Sequence, residues 1–253
     1  MKKLVRSFAA ATLTLTAGSA FAQTTPAKPT VVLIHGAFGD PESWDKVIPI
    51  LQKQDVPVVS VSIPLTSLAD DVAATKRAID RVAGPVILVG HSWGGTVITE
   101  AGIDPKVRSL VYVAGFANAA GQSVNDMSKG FPQAAGLSAL TVDGQGYASM
   151  SAAGFAKFFA PNATQAERSL MFTVQGPINA KAFGEPVDHA GWQGKPSWFL
   201  LTTEDQMIVP AMQEAMAKQI GAHVTRIASD HAAMVSHPAD VANTILAAVS
   251  AGE

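Results

Sequence analysis

The pentapeptide Gly90-His91-Ser92-Trp93-Gly94 constrains this chain most, because of what stands on either side of it. Before it runs Pro85-Val86-Ile87-Leu88-Val89, a short β-branched apolar run that reads as a buried strand. After it, Gly95-Thr96-Val97-Ile98-Thr99-Glu100-Ala101 reads as the opening of a helix. A serine at a tight strand-to-helix turn is a nucleophile elbow, and the flanking glycines suit a strained turn where backbones pass close. Such a turn lifts the Ser92 hydroxyl above the edge of a sheet, within reach of a histidine from a later loop. Five residues with three fixed recur by chance, so the flanking strand and helix carry the inference.

Strand and helix patterns alternate around this point. Val31 to His35, Val58 to Ser62, Val86 to Val89 and Ser109 to Val113 are β-branched runs of the buried type. Within Ser67 to Ala83, Leu68, Val72, Ile79 and Val82 recur near helical spacing, with Asp70, Asp71, Lys76, Arg77, Asp80 and Arg81 on the other face. This rhythm predicts an α/β fold with a doubly wound, mostly parallel sheet covered on both faces. It stops after Phe116, and residues 117–194 show no comparable strand, only Gly, Ala, Ser, Asn and scattered aromatics. It resumes with Ser197 to Thr202, a helix from Pro210 to Ile220, a last strand at Val224 to Ile227 and a closing helix from His237 to Val249. An insertion of that length is too long for an ordinary loop and is expected to fold as a cap over the site.

Serine needs a general base, and the base needs a carboxylate to fix its tautomer. Of six histidines, His231 directly follows the last strand, where a parallel sheet presents its reactive groups. His237, before Pro238, is better explained as a helix N-cap. His35, His91, His189 and His223 read as structural, with His35 the best placed to line the site. The strand ending at Thr202 is followed by Glu204 and Asp205, and spacing alone does not choose between these two acids. The loop His35-Gly36-Ala37-Phe38-Gly39 supplies a candidate oxyanion donor, the Ala37 amide with Phe38 second, to act beside the Trp93 amide. A plain strand-to-helix turn would also carry two glycines there.

The bulk properties narrow the classes. Met1 to Arg6 is basic, an apolar small-residue stretch follows to Ala17, and Ala20-Phe21-Ala22 is an A-x-A site. Residues 1–22 are therefore expected to be a cleaved signal peptide, leaving residues 23–253 as one domain in the periplasm or outside the cell. The apolar stretch is too short and too rich in Ala, Thr and Ser for a membrane anchor. Loss of Lys2, Lys3 and Arg6 takes the formal charge from -2 to -5, which with no basic cluster argues against nucleic acid. The chain has no cysteine, which excludes thiol chemistry and thiolate metal sites.

Four segments together carry a family likeness: Val32 to Phe38, Val89 to Gly95, Thr203 to Pro210 and Asp230 to Pro238. The sequence resembles the α/β-hydrolase superfamily, in particular small cap-bearing esterases similar to plant methylesterases, hydroxynitrile lyases and bacterial pyrethroid-hydrolase-like carboxylesterases. The resemblance spans nearly the whole chain beyond residue 30, loosely in the cap. It implies a helical cap inserted after the sixth strand and the chain order nucleophile, acid, histidine. Such families place the acid a few residues ahead of a helix-opening proline, a pattern that falls on Asp205. The lyases carry Thr after the first-strand His and Lys after the catalytic His; this chain has Gly36 and Ala232 there. A slow small-molecule-binding protein of the same fold is the other alternative, and the complete triad speaks against it.

The expectation is thus an exported serine carboxylesterase with a catalytic triad of Ser92, Asp205 and His231 and an oxyanion hole of Ala37 and Trp93. Its substrate is a small hydrophobic ester, and no metal or organic cofactor is implied. Phe38, His35, Phe155 and Phe158 are the expected substrate-facing residues, with Phe159 and Met171 close by. The bland alternative is that the cap aromatics simply pack the cap onto the core.

Overall fold

The computed structural model describes residues 28–251. The expectations for residues 1–22 lie outside these residues. Six strands form one parallel sheet: β1 (Thr30–Ile34), β2 (Val58–Val61), β3 (Val86–His91), β4 (Val107–Val113), β8 (Ser197–Thr202) and β9 (His223–Ile227). Their spatial order is β2-β1-β3-β4-β8-β9, and every neighbouring pair runs parallel. Every residue of β3 and β8 is buried, as expected of strands covered on both faces. The edge strand β9 is mostly exposed, and Arg226 on it forks both its Nε and an Nη onto Glu214.

Helices close the two faces of the sheet. α1 (Ile48–Gln52) follows β1, and α2 (Leu68–Arg81) turns Leu68, Val72, Ala78 and Ile79 inward. Ser67 starts α2 by accepting the Asp70 N–H at 3.1 Å. α3 (Trp93–Ala101) is buried at every residue but Glu100, the position of a central helix. α7 (Pro210–Gln219), α8 (Ala233–Ser236) and α9 (Pro238–Ser250) follow the last two strands.

The excursion between β4 and β8 differs from the expectation in two ways. It leaves the sheet after the fourth strand of this chain, not the sixth, because only β1 to β4 precede it. It is also not purely helical. β5 (Leu140–Val142), β6 (Tyr147–Met150) and β7 (Ile178–Asn179) form a small antiparallel sheet among α4 (Val124–Ser128), α5 (Ala152–Gly154) and α6 (Gln165–Val174). The turn between β5 and β6 is Asp143-Gly144-Gln145-Gly146, where the Asp143 carboxylate accepts from Gln145 N and Tyr147 N and Gly146 takes φ 88°. From Phe155 to Phe159 the chain forms a π-helix, with Ala160 N–H donating to Phe155 O at 2.9 Å.

Candidate active site

The elbow is built by crowding. Ser92 sits between β3 and α3 at φ 51° and ψ -119°, a conformation L-residues rarely adopt. A Cβ on Gly90 would lie 2.4 Å from the Gly94 carbonyl oxygen, and one on Gly94 would lie 2.6 Å from that of Ile34. No side chain fits at either point. Ser92 O accepts the Gly95 and Phe116 N–H groups, which fixes the strained turn from two sides.

His231 lies beyond the end of β9, almost fully buried. Its Nδ1 donates to Asp205 Oδ2 at 2.8 Å. Asp205 follows β8 and is buried, whereas Glu204 is exposed and its main-chain N–H donates to Ser229 O. Asp205 is also fully satisfied. Oδ1 accepts from Met207 N at 2.7 Å and Ile208 N at 2.9 Å; Oδ2 accepts in addition from Thr202 Oγ1 at 3.0 Å and Gln213 Nε2 at 2.9 Å. With these donors the carboxylate stays an acceptor and holds His231 with its proton on Nδ1, leaving Nε2 free to accept.

His91 ties the elbow to the histidine loop. Its Nε2 donates to the main-chain oxygen of His231 at 2.9 Å. Burial, and then the neighbouring His231, hold its pKa well below the usual histidine range, so the ring is a neutral strut. Asp230 anchors the other side of the same loop to the cap, accepting the Asn162 N–H at 2.7 Å. Burial raises its pKa against that hydrogen bond.

The turn after β1 runs from Gly36 to Gly39, closed by Gly39 N–H donating to Gly36 O at 3.3 Å, with Phe38 at φ 61°. The closure uses neither the Ala37 nor the Phe38 amide. Trp93, as the first residue of α3, has an N–H with no acceptor within its helix. Ala37, Phe38, Ser92 and His231 all line one cavity of about 490 Å³ between core and cap. Its apolar wall includes Phe116, Phe131, Phe159, Phe183, Met207 and Met212, while Asn125, Ser128, Lys129 and Gln133 stand exposed at its rim.

Three of the expected substrate-facing residues lie elsewhere. His35 is buried behind the cavity, where Nδ1 donates to Gly36 O and Nε2 accepts the Ile63 N–H. Burial lowers its pKa to about 4. Phe155 is fully buried and packs on Phe159, ring centroids 5.0 Å apart, and so supports the wall without forming it. Phe158 is not among the residues that line the cavity, and Lys157 Nζ lies 4.9 Å from its ring centre. Met171 lines a neighbouring cleft beside α6, which shares Phe38 with the cavity. His189 pairs with Glu100, His223 packs at a tilt against Trp198, and His237 occupies the N-cap position of α9 without capping through its ring.

A model of the alpha/beta hydrolase family matches residues 31–244. The chain belongs to the α/β-hydrolase family. Among curated proteins, this α/β-hydrolase is 28% identical over 237 residues to the alpha/beta hydrolase nvfD of Aspergillus novofumigatus, covering 83% of this chain and 92% of that one. Its fold is similar to that of a pyrethroid hydrolase from Sphingobium faniae, with TM-score 0.77, 20% identity and coverage of 88% and 98%. A similar match is polyneuridine aldehyde esterase, with TM-score 0.77, 17% identity and coverage of 88% and 99%. The fold and family expected from the sequence are thus those of the molecule, and its structural neighbours include esterases.

Proposed function

We propose that this α/β-hydrolase is an exported serine carboxylesterase acting on small, hydrophobic esters. The observation that carries the reading is a serine on a strained elbow sharing an apolar cavity with a histidine whose Nδ1 is held by a buried carboxylate. The cavity volume of about 490 Å³ falls among small-molecule sites. The esterases among the structural neighbours point the same way. Export rests on the basic start, apolar stretch and A-x-A site within residues 1–22.

In this scheme His231 Nε2 takes the Ser92 hydroxyl proton as Oγ attacks the ester carbonyl. The carbonyl π electrons move to oxygen, and the Ala37 and Trp93 N–H groups receive that oxyanion. Collapse of the adduct expels the alcohol, which takes the proton from His231. Water then gives a proton to His231, attacks the acyl-enzyme and releases the acid, and Ser92 regains its proton. Asp205 stays ionised throughout and stabilises the imidazolium. The test is turnover of p-nitrophenyl esters by the mature protein beside Ser92→Ala. Rapid release by the first and none by the second is expected; undiminished release by the variant refutes the scheme.

A further inference from the structure

The acyl-transfer scheme makes no use of Asp71, a carboxylate in the first turn of α2 with no exposed surface. Each of its oxygens accepts from one neutral N–H: Oδ1 from Leu65 N at 2.7 Å and Oδ2 from Trp93 Nε1 at 2.7 Å. Burial pushes its pKa up to about 6 against the pull of these two bonds. A buried carboxylate bonded only to neutral donors is expensive. Its distinction from an amide is that both oxygens accept, whereas Asn would present an N–H to one of the two donors.

Both donors lead to the site. Trp93 carries the main-chain N–H assigned to the oxyanion, and its indole packs edge-on against Phe183, with centroids 5.6 Å apart. Phe183 belongs to the cap and lines the cavity. Leu65 holds a left-handed φ of 59°, and its carbonyl accepts the Asn179 N–H of β7 at 2.9 Å. One carboxylate therefore grips the elbow through a side chain and the cap sheet through a strained backbone.

We propose that Asp71 is a positioning residue for the acyl-transfer step, fixing the Trp93 N–H through its indole while seating β7 through Leu65. The inference rests on the serine esterase reading above. Its geometric logic is that a donor must meet the oxyanion rather than the ground-state carbonyl, so a small tilt of Trp93 weakens the transition state more than the Michaelis complex.

The test is kinetics on Asp71→Asn, Trp93→Phe and the double variant. Asp71→Asn is expected to lower kcat about 10- to 100-fold with KM changed less than about threefold, the scale of a misplaced donor. Trp93→Phe deletes the other end of the same bond and lowers kcat by the same order, and the double variant is no worse than the weaker single. Affinity for a trifluoromethyl ketone, whose adduct on Ser92 carries the oxyanion, falls in step with kcat; a merely structural role would shift thermal stability without that parallel. Either single variant within about twofold of wild-type kcat, or effects that multiply in the double, overturns the proposal. If Asp71→Asn does not fold, Trp93→Phe with the ketone decides alone. Turnover surviving Ser92→Ala would remove the esterase reading itself; an inactive Ser92→Ala beside an unaltered Asp71→Asn would remove only the role of Asp71.

Discussion

Replacing Asp205 by Asn separates the two acids that adjoin in sequence, and its effect follows from the hydrogen bonds around that carboxylate. The Met207 and Ile208 N–H groups are fixed in the main chain, so the Asn carbonyl takes the Oδ1 place and the amide nitrogen takes that of Oδ2. There it meets Gln213 Nε2, which cannot turn away. Gln213 donates to Ile208 O at 2.8 Å and accepts Thr202 N–H at 3.1 Å, and a flip breaks both. The Asn N–H also faces His231 Nδ1 and favours the tautomer with its proton on Nε2, which cannot take a proton from Ser92. A wrong tautomer at this position of a triad lowers kcat by about 10⁴-fold, or about 5.5 kcal/mol. Glu204→Gln, at an exposed position, should stay within about twofold of wild type. Initial rates on p-nitrophenyl butyrate across pH 6 to 9, with circular dichroism to confirm folding, measure both. An Asp205→Asn enzyme keeping more than about a tenth of its kcat, or a Glu204→Gln enzyme that lost most of it, would refute the assignment.

Two further outcomes follow from crowding and burial. Gly90→Ala would drive a Cβ to 2.4 Å from the Gly94 oxygen, so the elbow must shift. We expect little soluble protein or a thermal midpoint lowered by several degrees, with activity lost, as read by a melting curve and ester turnover. His35 titrates near 6.5 when unfolded but at about 4 in the fold, so its contribution to stability is complete above pH 6.5 and is lost as pH falls toward 4. That loss amounts to about 3 kcal/mol. Asp71 acts oppositely over part of the same window: its raised pKa favours the fold at low pH, and this contribution is lost as pH rises from 3.8 to about 6. Urea midpoints between pH 4 and 7 for wild type, His35→Gln and Asp71→Asn should therefore show a shallower acid loss in the first variant and a steeper one in the second.

Much of the sheet was legible because its strands are buried on both faces, and burial on both faces writes itself as unbroken β-branched runs such as Val86 to Val89. The candidate triad was legible because a parallel sheet delivers its loops at one end, so Ser92, Asp205 and His231 each fall just after a strand. The direction of a side chain was not legible. His35 directly follows β1, where a site residue should fall, but the Ile63 N–H draws its ring inward. Gln213 and Asp71 find their partners on other elements, and helical periodicity does not reveal a partner. In the cap, the π-turn from Phe155 to Phe159 adds a residue to the usual helical turn and brings Phe159, rather than Phe158, to the cavity wall. The turn Asp143-Gly144-Gln145-Gly146 joins two strands that the sequence marks weakly, because β5 and β6 are short and only partly apolar.

The long excursion between two neighbouring strands has a thermodynamic and a temporal consequence. β4 ends at Val113, and its partner β8 begins only at Ser197, in register from Leu110 with Ser197 to Val113 with Leu200. Closing so long a loop is entropically mild: each doubling adds only about 0.6 kcal/mol, so a ten-residue turn would reach this span for about 2 kcal/mol. The sheet therefore tolerates wide change in what is threaded between these strands. The order of synthesis is less forgiving. A chain halted within the excursion already carries Ser92 on a completed β3, but neither Asp205 nor His231 has been made. On the proposed scheme Ser92 thus lacks its base until the last strands have been translated and docked, so ester hydrolysis would wait on a finished molecule.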